Sequence, residues 1–329
     1  MARIPPCSVC GKPAVAYVRP LRKFLCREHF IEYFNRRVAR ILERARVGPG
    51  DRILVALSGG KDSAALLNAL ADLRRSFGYE LIAVHIDLGI RGFSEESRRA
   101  VEAESARLGV PLLVVDLREA IGVSIPELAR MSRRPTCSVC GLVKRYVLNA
   151  AAVESRARYI AMGHNGDDII AYAIKSFLGQ DLESLRKLGP YSDSMEGLAV
   201  GRLRPLYMIT EKESLVYALL KRAHINRATC PHLDPNQLEV VIKHLMNEFE
   251  TRRPGVKIQL LGNLARRYRD YPEPREAVAA CPSCGLISSG GECSFCRLTR
   301  KALGEPMGRR VRLYIRGKLE ELGLGGASG

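Results

Sequence analysis

The chain has 329 residues, 47% of them hydrophobic, and its 52 Lys and Arg against 35 Asp and Glu leave a net charge of +17. That length suits one large domain with appendages, or two domains, with ample apolar content for a core. No stretch approaches the ~18 apolar residues of a membrane span, and Met1 to Cys7 carry no signal-peptide core, so no transmembrane helix is implied and a cytoplasmic location is expected. The excess charge points to a polyanionic partner, most naturally nucleic acid. Basic pairs recur along the chain at Arg36-Arg37, Arg74-Arg75, Arg133-Arg134, Arg252-Arg253, Arg266-Arg267 and Arg309-Arg310. Aromatics are few and Trp is absent, which favours shape and phosphate recognition of folded RNA over a stacking platform for single strands.

The chain opens with Cys7-x2-Cys10 and, after fifteen residues, Cys26-x2-His29. Two knuckles of N and S donors at this spacing match a tetrahedral structural zinc site. Residues 35–50 read as a short basic helix. Strand–helix alternation follows, with strands at 52–57, 81–87, 111–116 and 159–163 and helices near 62–77, 94–108, 141–156 and 167–178. Buried, β-branched strands in this alternation predict a parallel sheet covered on both faces. Residues 180–205, rich in Gly, Pro and Ser, read as a loop. Helices fit near 210–223, 236–251 and 255–268. Cys281, Cys284, Cys293 and Cys296 form a second pair of knuckles, read as a second structural zinc site. A basic tail follows, and its end, Gly323 to Gly329, is expected to be mobile. The organisation expected is a finger at 1–34, a catalytic body at 35–245, a helical connection at 246–280, and a finger with tail at 281–329.

Between the first strand and its helix lies Ser58-Gly59-Gly60-Lys61-Asp62-Ser63. Consecutive backbone N–H groups at such a turn, with a helix dipole behind them, make an anion site. Two glycines let phosphate approach the backbone, and Lys61 adds charge. This is not the Walker pattern, because Val55 replaces its first glycine and Asp62 follows the lysine. The hexapeptide resembles the SGGxDS pyrophosphate loop of enzymes that split ATP into AMP and pyrophosphate, which implies activation by adenylation.

Three further cysteines, Cys137, Cys140 and Cys230, leave an odd coordination number. Cys137-Ser138-Val139-Cys140 reads as a loop just ahead of a helix. Residue types alone leave three readings open: a third zinc site recruiting His232, a persulfide-carrying redox pair with Cys230 as partner, or a [4Fe–4S] cluster with one open iron.

The ordered motifs resemble the TtcA/TtuA group of tRNA thiolases, most closely its TtuA-type 2-thiouridine synthetases. They comprise the N-terminal CxxC…CxxH, SGGKDS, CSxCGxxKRxxLN from Cys137 to Asn149, the frame Gly163-His164-Asn165-Gly166-Asp167-Asp168, the late Cys230-Pro231-His232, and the closing four-cysteine knuckles. The resemblance spans Cys7 to Cys296. It implies an α/β fold with a parallel-sheet pyrophosphate-loop ATPase core, adenine nucleotide alpha hydrolase-like (HUP/Rossmann-like), and N- and C-terminal zinc-binding modules.

It also implies a reaction in two halves. ATP adenylates the C2 oxygen of a tRNA pyrimidine, and sulfur then displaces AMP. Cys137, Cys140 and Cys230 would hold a [4Fe–4S] cluster. Ser58, Gly59, Gly60, Lys61, Asp62 and Ser63 would hold the ATP phosphates. Ala56, His85, Asp87 and Gly163 would line the adenosine side, at the carboxyl ends of strands where parallel sheets bind ligands. Lys144, one helical turn after Cys140, would reach between cluster and phosphate. Asp168 is the candidate acid/base or orienting group. Asp167 is a helix cap or a Mg2+ ligand. His164 reads as a loop residue, His85 as strand core, and His232 and His244 carry no assigned role.

The implied partners are tRNA, a second copy of the chain, and a sulfur donor, either a ubiquitin-like thiocarboxylate carrier or sulfide. Two features depart from the family pattern. Gly166 stands where a bulky residue is usual, and Ile169-Ile170-Ala171-Tyr172 follows in place of small or polar residues; both touch the substrate position. Two competing functions fit part of the sequence. An adenylating ligase with a nitrogen nucleophile leaves the middle cysteines unexplained, and a zinc-stabilised RNA-binding protein leaves the pyrophosphate loop unused.

Overall fold

The computed structural model describes residues 4–273 and 277–325. Residues 326–329 of the expected mobile tail lie outside these.

Strands β1 (Ala16–Val18) and β2 (Lys23–Leu25) form an antiparallel ribbon beside the first knuckles. Helix α1 (Arg27–Arg44) starts at once, earlier than the sequence suggests, because Cys26 in extended backbone serves as its N-cap. Phe30, Phe34, Val38, Ile41 and Leu42 make its buried stripe at helical spacing. The central units then follow: β3 (Arg52–Ala56), α2 (Lys61–Phe77), β4 (Glu80–Asp87), α3 (Phe93–Leu108), β5 (Leu112–Asp116), α4 (Leu117–Ile121), α5 (Ile125–Ser132), α6 (Thr136–Glu154), β6 (Tyr159–Ala161), α7 (Gly166–Leu178) and α8 (Leu182–Arg186). The remainder comprises β7 (Gly201–Leu203), α9 (Glu211–Leu220), α10 (Leu238–Arg252), α11 (Val256–Arg267), the two-residue strands β8 (Ala279–Ala280) and β9 (Ile287–Ser288), α12 (Ser294–Leu303) and α13 (Gly308–Glu321).

The central sheet has the order β5-β4-β3-β6-β7, and every neighbouring pair is parallel. Its fifth strand falls within the stretch read from sequence as loop. Three residues are too few to carry a period-two signal, and Gly201 is there because its backbone approaches the Ser192 carbonyl too closely for a side chain.

The strands alternate between two cores. Ile53, Val55, Leu81 and Ala83 face one core, built with α1, α2, α7 and α9. Leu54, Ile82, Val84, Leu113, Val115 and Ile160 face the other, built with α5, α6, α12 and α13. Each terminal knuckle module therefore covers an opposite face. The first docks through Phe34, stacked on Tyr217 at 3.8 Å and 15°. The second docks through Phe295, stacked on Tyr146 of α6 at 3.9 Å and 7°.

The chain moves outward from β3 through β4 to β5, then returns to the other side of β3 as β6. The carboxyl ends of β3 and β6 therefore flank a topological switch point, where open α/β sheets bind ligands.

Candidate active site

Ser58 to Ser63 turns from β3 into α2 at this switch point. Gly59 has φ +86°, and a side chain there would press on Ser97 at 3.2 Å. Ser63 Oγ donates to the Gly60 carbonyl at 2.9 Å and accepts from the Ser58 N–H at 3.2 Å, which closes the loop on itself. No side chain caps α2, so its first amides are left for a ligand. Gly163, just past β6, would meet Ser63 N at 3.2 Å if it carried a Cβ, so the two strand ends are nearly in contact.

The charges at the mouth alternate. Lys61 Nζ lies 3.0 Å from Asp62 Oδ2 and 2.7 Å from Glu211 Oε1. Glu211 Oε2 lies 3.7 Å from Lys243 Nζ, which also pairs with Asp168 Oδ1. Burial opposes charge on Lys61, yet the Asp62 and Glu211 carboxylates hold its ammonium above the usual range. Burial pushes the Asp62 carboxyl up, against the pull of Lys61 and Asn165. Sequence reasoning missed Glu211 and Lys243, which long-range folding alone brings to the loop.

The 163–168 frame starts α7. Asn165 is its N-cap, and Asp168 closes the capping box by accepting from the Asn165 N–H at 3.0 Å. Asp167 does not cap its own helix but accepts from the first N–H of α9, that of Glu211, at 2.7 Å. It is buried and paired with Lys257. Gly166 accommodates the Tyr207 and Ile209 carbonyls, which would lie 3.1 Å from any Cβ. His164 lies edge-on to Tyr172 at 5.9 Å. Burial, opposed by Asp168 and reinforced by Arg204, pushes the His164 imidazole down to about 4, so it is neutral at pH 7.

Cys137 and Cys140 occupy the first turn of α6, not a loop; Pro135 precedes the helix, a position suited to its fixed φ. Cys137 Sγ donates to the His232 carbonyl at 3.1 Å, which brings the segment of Cys230 alongside. Burial pushes the Cys140 thiol up, Lys144 pulls it down, and both Cys230 and Cys137 act on it. The three sulfurs are thus neighbours. They do not close to within 4.8 Å of one another as the terminal sets do, which suits a multi-iron cluster better than a single ion. His85, buried at the end of β4, has Nδ1 3.0 Å from the Leu57 carbonyl, while its Nε2 has no partner. Asp87 ends β4 and accepts from the Gly89 N–H at 3.0 Å.

A loop–cysteine linkage joins the two halves. The Asn226 N–H donates to the Gly59 carbonyl at 2.8 Å, and Asn226 Nδ2 donates to Ser97 Oγ at 2.8 Å. His224 binds the buried Glu104 through its N–H at 2.9 Å and sets Nδ1 3.1 Å from the same oxygen. The segment leading to Cys230 is therefore pinned to the pyrophosphate loop.

At the termini, Cys7, Cys10, Cys26 and His29 gather with donor separations of 3.2 to 3.7 Å. Cys284 and Cys293 lie 3.8 Å apart within the buried set completed by Cys281 and Cys296. Metal–sulfur bonds of ~2.3 Å in a tetrahedron give edges of about 3.8 Å, so both sets fit zinc.

Residues 30–227 match the PP-loop domain family, and residues 7–31 match the N-terminal LIM domain of 2-thiouridine synthetase TtuA. The chain is 38% identical to the tRNA-5-methyluridine(54) 2-sulfurtransferase of Thermus thermophilus, over 93% of this chain and 98% of that one. The chain belongs to the TtuA group of PP-loop enzymes. A TtuA relative of the same name from Pyrococcus horikoshii is 37% identical over 88% of this chain and 92% of its own. The U34-tRNA thiolase NcsA of Methanococcus maripaludis has the same fold, with a TM-score of 0.75 and 24% identity, over 92% of this chain and 96% of that one. No helix among the described residues of this TtuA-group chain is long and apolar enough to cross a membrane.

Proposed function

We propose that the chain is an ATP-dependent tRNA 2-thiouridine synthetase acting on 5-methyluridine at position 54, the substrate in the names of three relatives at 31–38% identity. The observation that carries this reading is the shared carboxyl edge of the sheet. It holds an adenylating loop and three neighbouring thiols, tied together through Asn226.

In the first half, the uridine C2 oxygen attacks the α-phosphorus of ATP and pyrophosphate leaves. Ser58 to Ser63 and the α2 amides bind the phosphates, and Ala56, His85, Asp87 and Gly163 line the adenosine. Lys61 and Lys144 offset the charge that gathers on the leaving pyrophosphate. Asp62 and Glu211 are hard oxygen donors suited to the Mg2+ that accompanies ATP. Asp168, held by its cap and by Lys243, orients the base, takes the uracil N3 proton as the C2 oxygen attacks the α-phosphorus, and returns a proton to N3 as sulfur replaces oxygen.

In the second half, a sulfur nucleophile adds to C2 and AMP departs with the oxygen. A [4Fe–4S] cluster on Cys137, Cys140 and Cys230 would supply an iron open to bind sulfide. The sulfur comes from a thiocarboxylate carrier or from sulfide, in a cytoplasmic homodimer. Zinc on Cys7, Cys10, Cys26 and His29, and on Cys281, Cys284, Cys293 and Cys296, stiffens small modules with little core of their own. These modules, 1–34 and 281–329, flank the catalytic body at 35–245 and its helical connection at 246–280.

Nucleoside mass spectrometry tests the reading. The protein is purified without oxygen, loaded with iron and sulfide, and incubated with ATP, sulfide and unmodified or 5-methyluridine-bearing tRNA. An ATP-requiring 2-thio base at position 54 is expected. AMP without thiolation would favour a nitrogen nucleophile, and neither product would favour a plain RNA-binding role.

A further inference from the structure

We infer that Arg145 and Arg202 form a clamp for one backbone phosphate of the RNA, beside the nucleotide being thiolated; the inference rests on the tRNA reading above.

Register fixes the direction of Arg202. It pairs with Ile160 across the sheet, and Ile160 belongs to the core on the α6 side, so the Arg202 side chain points towards α6. Helix α6 is docked on this edge by Asn149, which donates to the Leu198 carbonyl at 2.9 Å and accepts from the Val200 N–H at 3.0 Å. Because α6 begins at the carboxyl ends of the strands, the two elements run antiparallel. Four residues back along the helix, about 6 Å, lies Arg145. Two residues forward along the strand, about 6.6 Å, lies Arg202. The two side chains are therefore directed to the same edge, near enough for the charge of Arg145 to act on Arg202. The Arg145 Nη1 would lie 3.4 Å from a Cβ at Gly141, the residue after Cys140.

Among the described residues, neither guanidinium has a carboxylate or hydrogen-bond partner. Neighbouring buried or half-buried arginines do. Arg204 donates to the Gly189 and Lys187 carbonyls, and Arg312 pairs with Glu154. Burial first, and then the charge of Arg145, push the Arg202 guanidinium below its usual range. Two like charges held together without a counter-ion are destabilising, and a planar phosphate-matching pair is completed by an anion.

ATP is not that anion. Lys144, the next residue round α6, acts on Cys140 and His85, on the nucleotide side, whereas Arg145 lies on the Asn149 side. Arg145 and Asp168 both act on Tyr172, a residue 38% exposed. A phosphate on the clamp would thus lie on the same side of the molecule as Asp168. The basic chain and its tRNA-thiolating relatives favour RNA over the carboxyl terminus of a protein donor.

Arg145→Gln, Arg202→Gln and the double variant test this in the cluster-loaded chain. With tRNA, ATP and sulfide, the double variant should raise KM for tRNA at least tenfold while KM for ATP and iron content hold. Its log–log salt slope for tRNA binding should fall by about one, and lysine at both positions should restore part of the affinity. Unchanged tRNA binding and salt slope would overturn the clamp. So would a defect seen only with a thiocarboxylate carrier and absent with sulfide. If Arg202→Gln lost its iron or its fold, exposed Arg145 alone would decide. Failure of the unaltered protein to thiolate tRNA would instead sink the underlying reading.

Discussion

Asp168 has two occupations, and they separate cleanly. One oxygen closes the α7 capping box and the other meets Lys243. Asn keeps an acceptor for the cap but loses the charge. Asp168→Asn should therefore cut thiolation at least a hundredfold with a melting temperature within a few degrees of the parent. A matching loss of stability would make Asp168 a cap alone. His164 predicts a pH dependence. Its folded pKa of about 4 lies below the ordinary 6.5, so the unfolded chain binds its proton first. Stability from this residue is complete above about pH 6.5 and falls as pH drops towards 4, by about 3 kcal/mol at most. Urea unfolding of His164→Gln should be less acid-sensitive by that amount; an identical pH profile would refute it. At this scale the loop and cysteines were legible because chemistry concentrates in short spacings. Glu211 and Lys243 were not, because a residue 150 positions from Lys61 leaves no local mark.

Helix α6 is the element on which most depends. It carries the cysteine pair at its start, Lys144 and Arg145 on diverging faces, Tyr146 against the closing module, and Glu154 paired with Arg312 and Arg316 at its end. Tyr146 Oη donates to the Gly308 carbonyl at 2.9 Å. A Cβ on Gly308 would sit 2.5 Å from Cys296 Sγ and 2.6 Å from Cys284 Cβ. Gly308→Ala should thus cost about 1–3 kcal/mol and loosen the second metal site, seen as faster zinc release to a chelator. A normal release rate would mean that the module is not held through this contact. Element reading from sequence succeeded for the long helices and strands of the central body. It missed the short α4, α5 and α8, β7 with three residues, and α12 and α13, whose frequent arginines hid an apolar stripe of Leu298, Val311, Ile315 and Leu319.

Across the whole molecule, the sheet separates two cores, and its carboxyl edge gathers the pyrophosphate loop and the segments of Cys137, Cys140 and Cys230. Charge supplements this plan. A net charge of +17 and repeated arginine pairs predict that tRNA affinity falls steeply between 50 and 200 mM salt, by a hundredfold or more. A flat response in a filter-binding titration would deny backbone phosphates the leading part. The two-faced sheet was legible because buried parallel strands write continuous apolar runs. The attachment of each knuckle module to an opposite face was not, since that depends on aromatic stacks between distant residues.

In the proposed enzyme, the hydrogen bond from the Asn226 N–H to the Gly59 carbonyl ties the segment that would hold iron to the loop that would hold nucleotide. Whatever factor nucleotide adds to retention of iron at Cys230, iron must add to retention of nucleotide at Gly59. Oxygen, by stripping iron, would then weaken ATP binding without touching an ATP contact. Calorimetry on the iron-loaded and iron-free chain should find the same ratio of affinities as iron-loss experiments with and without ATP, and Asn226→Pro, which removes the donating backbone N–H, should bring that ratio to one. With positive coupling, the proposed enzyme would release ATP on losing its cluster and so spare it when no sulfur can follow.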